Sequence, residues 1–369
     1  MSAVATPRGF LTIGQPVAER LARRMLAEAT SPGTILVHGP AGSGKGAFVA
    51  DLLATAFCEE ADPGQRPCNA CQGCLTARVG THPDLVIASP DTWREDRGSG
   101  ESIVAAARRW LADVAGAPIA GRWRVIVISA AGSANEQVQN ALLKALEEPG
   151  DRQLFILVAD DPRRLLPTIR SRARALRVGP VPRAELAEWL VERGLPDEQA
   201  ATLARLADGR IGRAAALADQ PAAVEWRRTT QQELMALLER GRADRMAAAR
   251  ELIDETTRQV PLDRSEADAS ADPSVRTPTA VQRAAALAII DAWIGLGRDL
   301  AVAAAGPADL ATSAELVPGL TDSARRLPAR DWAEATLALE HVRDGLEENV
   351  SPRLALEAAM LAWPVLPRT

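Results

Sequence analysis

A chain of 369 residues exceeds what one hydrophobic core usually supports, so two or three domains are expected. With 47% hydrophobic and 25% charged residues, its composition is that of an ordinary globular protein, neither disordered nor membrane-spanning. A formal net charge of −5 argues against a general nucleic-acid coat, which binds by neutralising phosphates over a broad positive surface.

From the amino terminus, Met1 to Phe10 shows no apolar stretch after a basic start, and later apolar runs are broken by charges before reaching spanning length. No membrane contact and a cytoplasmic location are expected. The next 170 or so residues alternate short apolar runs with helical patterns, as a parallel sheet covered by helices requires. The runs are Thr34–His38, Leu85–Ala88, Arg124–Ser129, Leu154–Ala159 and Ala175–Val178. Five parallel strands predict a doubly wound α/β domain over residues 1–182.

A small helical domain is expected over 183–222, with Leu186, Leu190, Leu195, Leu203 and Leu206 as its apolar face and Gly194-Leu195-Pro196 breaking it. The remainder, 223–369, predicts a helical bundle. Val224–Val260 reads as one helix, and a polar tract from Asp263 to Thr279 as a mobile loop. Ala284, Leu287, Ile290, Ile294 and Leu296, then Trp332, Leu337, Leu339 and Val342, recur at helical spacing. Scattered tryptophans, Trp110, Trp123, Trp226, Trp293, Trp332 and Trp363 among them, read as core anchors rather than a base-stacking platform.

After the first strand, Gly39-Pro40-Ala41-Gly42-Ser43-Gly44-Lys45-Gly46 carries the G-x-x-x-x-G-K core of a phosphate-binding loop, in the strand-to-helix position it needs. Gly39, Gly42 and Gly44 let backbone N–H groups converge on phosphate oxygens, and Lys45 can reach the terminal phosphates of ATP or ADP. Only two lysines, Lys45 and Lys144, stand against forty-one arginines, which hints that position 45 needs a compact charge. The magnesium-binding Ser or Thr that should follow is Gly46, however. The third strand runs into Ser129-Ala130-Ala131-Gly132 where acidic residues should hold magnesium and orient water. Two losses in the same chemistry predict nucleotide binding without hydrolysis.

All four cysteines, Cys58, Cys68, Cys71 and Cys74, fall in one C-x9-C-x2-C-x2-C stretch. Four thiolates in a reducing compartment suit a closed, structural Zn²⁺ site. Disulfides are disfavoured there, and an iron–sulfur cluster lacks its common C-x2-C-x2-C-x3-C-P continuation. His82 is redundant as a ligand. Between Cys58 and Cys74 a lone basic residue, Arg66, faces Glu59, Glu60 and Asp62, which weakens a zinc-ribbon DNA-binding reading.

The stretch Asn140-Ala141-Leu142-Leu143-Lys144-Ala145-Leu146-Glu147-Glu148-Pro149, with Thr168-Ile169-Arg170-Ser171-Arg172-Ala173 before the fifth strand, resembles the clamp-loader branch of AAA+ proteins. The cysteine module between the phosphate loop and Thr81-His82-Pro83-Asp84 narrows the resemblance to bacterial clamp-loader subunits, over residues 8–182. In that branch the motor subunits have a complete magnesium site. The delta-prime kind, which this chain resembles, has a degenerate one but keeps a Ser-Arg-Cys arginine. Ser171-Arg172 matches that motif, with Ala173 replacing the cysteine.

The resemblance implies that Arg172 serves in trans as an arginine finger for a neighbour's ATP. It also implies a collar-forming carboxyl-terminal bundle and partners: clamp-loader ATPase subunits, the delta subunit and, through the complex, the sliding clamp and primer-template DNA. Ala159-Asp160 stands where motors place a threonine, and Gly212, beside Arg213, where they place a second sensing arginine. Lys144, Glu147 and Glu148 read as a helix end with a structural role. An alternative reading, an active motor, would need its acid from Asp160 or Glu136.

Overall fold

In the computed structural model, residues 8–27, 33–150, 152–259, 278–306, 311–312, 317–347 and 350–366 are described. The chain divides into two compact units, Met1–Ala214 and Ala215–Thr369.

The first unit follows the expected alternation of strand and helix. It runs α1 (Pro16–Ala27), β1 (Thr34–His38), α2 (Lys45–Phe57), α3 (Gln72–Arg78), β2 (Leu85–Ala88), α4 (Pro90–Glu95), α5 (Ile103–Val114), β3 (Arg124–Ile128), α6 (Glu136–Glu147), β4 (Gln153–Ala159), α7 (Pro167–Arg172) and β5 (Ala173–Arg177). The sheet order is β2-β3-β4-β1-β5, with each adjacent pair parallel. Strands end within a residue or two of their expected limits. The largest shift is β5, which starts directly after Arg172.

Strand alternation explains why helices cover both faces. Ile35, Val37, Val125, Val127, Leu154, Ile156, Leu176 and Val178 point to one side and pack with Ala18 and Ala22 of α1 and Phe48 and Leu52 of α2. Their neighbours Leu36, Ile126, Ile128, Phe155 and Leu157 point to the other, against Trp93, Ala106, Val138, Leu142 and Ile169 of α4 to α7. Side-chain oxygens start several of these helices: Ser89 and Thr92 form a capping box at α4, and Asn135 accepts from the Val138 N–H at α6. The unit continues through α8 (Arg183–Glu192), α9 (Asp197–Ala207) and the first turn of α10 (Ile211–Asp219). Leu186, Leu190, Leu203 and Leu206 are buried there as expected.

The second unit holds α11 (Pro221–Ala236), α12 (Arg242–Gln259), α13 (Pro278–Ala305), α14 (Leu320–Ala324), α15 (Ala329–Glu347) and α16 (Pro352–Ala362). The single helix expected over Val224–Val260 is broken by a 3-10 turn, Leu237–Glu239, and an extended Arg240. The break allows Arg245 to reach the carbonyls of Leu237 and Arg240. The polar tract from Asp263 lies outside the described residues, except for Pro278 and Thr279, which open α13. Trp363 packs against Trp293 and Trp332 at centroid distances of 5.4 and 5.8 Å. Gly297 lets α13 approach α15, since a Cβ there would lie 2.5 Å from Thr336 Oγ1. Leu337, expected on the buried face, is instead 55% exposed. Among the described residues no helix is long and apolar enough to cross a membrane.

Candidate functional site

The glycine-rich loop expected to take phosphate leaves β1 and ends where α2 begins. Gly39 sits where a Cβ would fall 1.9 Å from the Val178 carbonyl, and Gly44 takes φ +92 with its missing Cβ filled by Ile211. Gly42, at φ +75, offers its carbonyl to the Gly212 N–H at 2.9 Å. Gly212, which stands where motor subunits place a second sensing arginine by the resemblance, thus packs its backbone directly on the loop. A Cβ on Gly212 would already lie 3.2 Å from the Gly42 oxygen.

Lys45 is nearly buried, and its ammonium is fully occupied by the chain itself. Nζ donates to the carbonyls of Gly39 and Pro40, each at 2.8 Å, and pairs with Asp160 Oδ1 at 2.6 Å. Three donors meet three oxygens, so a phosphate would have to displace at least one of them. Asp160, 66% exposed, thus pairs with Lys45 through one of its two carboxylate oxygens. At the end of β3, Ser129 donates from both its N–H and its hydroxyl to the Ala88 carbonyl, tying β3 to β2. The Ser43 hydroxyl is buried in the loop and has no hydrogen-bond partner among the described residues.

Arg172 closes α7, away from the phosphate loop in its polar contacts. Its Nε pairs with Glu147 Oε1 at 3.0 Å, and Nη1 donates to the Thr168 carbonyl at 3.1 Å. Ser171 Oγ donates to the same carbonyl at 3.0 Å, closing the last turn of the helix. Both partners of the ion pair are about two-fifths exposed, 42% and 39%. Sequence reading gave Glu147 only a structural role. A signal was present in its place at the end of a helix that precedes the strand–helix pair carrying Arg172, but no local spacing joins positions 147 and 172.

The four cysteine sulfurs converge, all within 4.8 Å of one another, and could hold a metal ion. Cys58 ends α2, Cys71 caps α3 and Cys74 lies in its first turn. Backbone N–H groups point at sulfur: Cys68 to Cys58 at 3.3 Å, and Glu59 and Cys74 to Cys71 at 3.4 Å each. Burial raises the pKa of Cys58 and Cys74. Burial also raises that of Cys68, but N–H groups of Ala70 and Cys71 and the neighbouring thiols outweigh it and bring the thiol to about 7.

Asn69, in left-handed conformation at φ 58, joins this module to its surroundings. It donates to the Gly9 carbonyl and accepts from Arg78, which in turn pairs with the buried Asp51 at 2.8 Å. Arg66, the lone basic residue between the ligands, donates to the carbonyls of Glu60 and Ala61. His82, redundant as a ligand in the sequence, stacks on Phe57 at 3.7 Å and accepts from the Asp84 N–H.

Residues 14–182 match the family described as DNA polymerase III, delta subunit. The chain is 35% identical over 177 residues to the DNA polymerase III subunit delta' of Pseudomonas aeruginosa, covering 46% of this chain and 50% of that protein. Against the Escherichia coli subunit delta' it is 32% identical over 185 residues, 50% and 53% of the two chains. The Escherichia coli DNA polymerase III subunit tau matches at 34% over 206 residues, 53% of this chain and 30% of that one. The chain thus spans about half the length of the delta' proteins it matches. Over residues 14–182, which hold the five-stranded parallel sheet and the four-cysteine module, the chain is similar to the delta' subunits of DNA polymerase III.

Proposed function

We propose that this chain is a non-hydrolysing clamp-loader subunit that lends Arg172 in trans to the ATP site of a neighbouring ATPase subunit, and so helps load the sliding clamp onto primed DNA. The observation that carries the proposal is the contrast between its two half-sites. The phosphate loop lacks its magnesium hydroxyl and its strand-end acid, with Lys45 bound to the chain's own oxygens, while Arg172 stands at the surface on a short helix. Its partners in this reading are the ATPase subunits and the delta subunit, with the clamp and primer-template DNA met through the complex.

For ATP or ADP the fit is partial. Gly39, Gly42 and Gly44 keep the cradle, and Lys45 would meet the phosphates only by releasing Asp160. The unpartnered Ser43 hydroxyl is a donor within the same loop. For zinc the four sulfurs, with no fifth position in the donor set, suit a structural tetrahedral ion held by Cys58, Cys68, Cys71 and Cys74.

The isolated chain is expected to release no phosphate from ATP above background, because phosphoryl transfer depends on magnesium and a positioned water, and Gly46 and Ser129 supply neither. Gly46→Ser alone is expected not to restore turnover, since the acid is still missing. Robust hydrolysis abolished by Lys45→Ala would identify an active motor instead.

Arg172→Ala tests the trans role. The pair with Glu147 is well exposed, and such pairs contribute about 0–1 kcal/mol, so the variant is expected to fold and assemble normally. An arginine finger is worth on the order of 10³–10⁵ in rate at its own site. Other sites of a multi-motor complex keep their fingers, so steady-state ATPase of the whole is expected to fall only about two- to tenfold. Arg172→Lys is expected to resemble the alanine variant, because one ammonium cannot form a planar fork. An assembled Arg172→Ala complex with the wild-type rate would reduce Arg172 to a surface charge.

A further inference from the structure

The side chain that meets Arg172 is set in place by the same strand that sets Arg172. Thr34, the first residue of β1, donates from its hydroxyl to the Leu146 carbonyl at 3.3 Å, one residue before Glu147. In the sheet Thr34 is in register with Ala173, one residue after Arg172. Leu146 and Ile169 are buried in one apolar cluster, so the ends of α6 and α7 are both anchored to the core. The carboxylate and the guanidinium therefore meet because of where two helices end, not through a chance surface encounter.

The pairing geometry is directional. Glu147 takes the Nε edge of the guanidinium and the Thr168 carbonyl takes one Nη1 hydrogen. Neither bond uses Nη2, and the Nη1–Nη2 edge of a guanidinium can grip two oxygens of a phosphoryl group.

We infer that Glu147 is a positioning residue for Arg172: it holds the guanidinium plane so that the Nη1–Nη2 edge faces a phosphoryl group on the neighbouring subunit. This rests on the trans role proposed above. A long, half-exposed arginine side chain without such a support samples many rotamers, and a catalytic group left loose loses rate through orientation rather than through binding.

The test is steady-state ATP hydrolysis by the complex reconstituted with ATPase clamp-loader subunits, using wild type, Glu147→Ala, Glu147→Gln, Arg172→Ala and the Glu147→Ala/Arg172→Ala double variant. Assembly is checked by size-exclusion chromatography. The quantity of interest is the Arg172-dependent rate, the difference between wild type and Arg172→Ala. Glu147→Ala is expected to lower that part about three- to tenfold in kcat with KM for ATP unchanged, as loss of orientation rather than affinity predicts. Glu147→Gln is expected to retain at least half of it, since the amide oxygen still accepts from Nε. The double variant is expected to match Arg172→Ala alone, because Glu147 acts only through the arginine.

A wild-type or faster rate for Glu147→Ala would overturn the inference, as would a double variant slower than Arg172→Ala, or a Glu147→Ala chain that no longer assembles. If Arg172→Ala itself keeps the wild-type rate, the trans role has failed, and the positioning role fails with it for that separate, visible reason.

Discussion

Stripping the metal from the four-cysteine module is expected to release two separated stretches of the chain, residues 8–12 and 58–78, while the five-stranded sheet stays folded. Between Cys58 and Gln72 the chain buries little: residues 59–65 are almost all exposed, and apart from Pro67 and Asn69 the buried side chains are the cysteines themselves. Without a metal, the loop has no apolar core to repay its ordering entropy. Structural zinc supplies roughly 10–16 kcal/mol of apparent binding free energy in peptides of this kind, far more than such a loop can gather otherwise.

The release should spread along a specific route. Gly9 donates to the Pro67 carbonyl, Asn69 holds Gly9 and Arg78, and Arg78 shares Asp51 with the N–H groups of Leu11 and Thr12. Hydrogen exchange before and after chelation checks this, with metal content measured in parallel. One zinc per chain, with protection lost at 8–12 and 58–78 and kept in β1, β3 and β4, is the expected result. Chelator-naive folded protein without zinc would contradict it, as would full stripping that leaves exchange unchanged.

Replacing Arg245 in the second unit is expected to cause a loss of stability out of proportion to an ordinary surface arginine. The side chain is 2% exposed, and among the described residues it meets no carboxylate in its hydrogen bonds. Instead Nε donates to Leu237 and Arg240, Nη1 to Trp363 and Met360, and Nη2 to Pro364 and Leu238, each at a backbone carbonyl. These carbonyls lie at or just beyond the ends of α11 and α16, where the last oxygens of a helix have no partner of their own and carry the negative end of the dipole. Burial works against the charge and lowers the pKa, yet an arginine stays protonated.

One cation thus satisfies two helix ends. Arg245→Met keeps volume but strands buried oxygens, and breaking such a site costs about 3–5 kcal/mol. Arg245→Lys should recover part of this, since an ammonium offers three donors instead of five. Arg330→Met, at a largely exposed position, should change stability by less than about 0.5 kcal/mol. Urea unfolding with exchange of α13, α15 and α16 as the readout distinguishes these, and a loss below about 1 kcal/mol for Arg245→Met would show that water or rearrangement satisfies the carbonyls.

Much of the first unit was legible in the sequence because its signals are local. Apolar β-branched runs of four to seven residues alternate sides with period two, glycines mark the turn after β1, and four cysteines in one short stretch leave few other fates. The same locality made the missing hydroxyl at Gly46 and the missing acid after β3 readable residue by residue.

Whatever depends on two distant segments meeting was decided by tertiary structure alone. Glu147 and Arg172 belong to different helices and face each other only because Thr34 sits between the ends of both. Lys45 finds Asp160 only because β1 and β4 are neighbours in the sheet, and its ammonium there meets three of the chain's own oxygens. Arg245 looks like one more charge on a long helix until the chain folds α16 back onto it. Sequence periodicity reports which face of an element is apolar, but a polar group's partner is fixed by hydrogen-bond geometry over about 3 Å, and that distance exists only once the core has set the backbones in place.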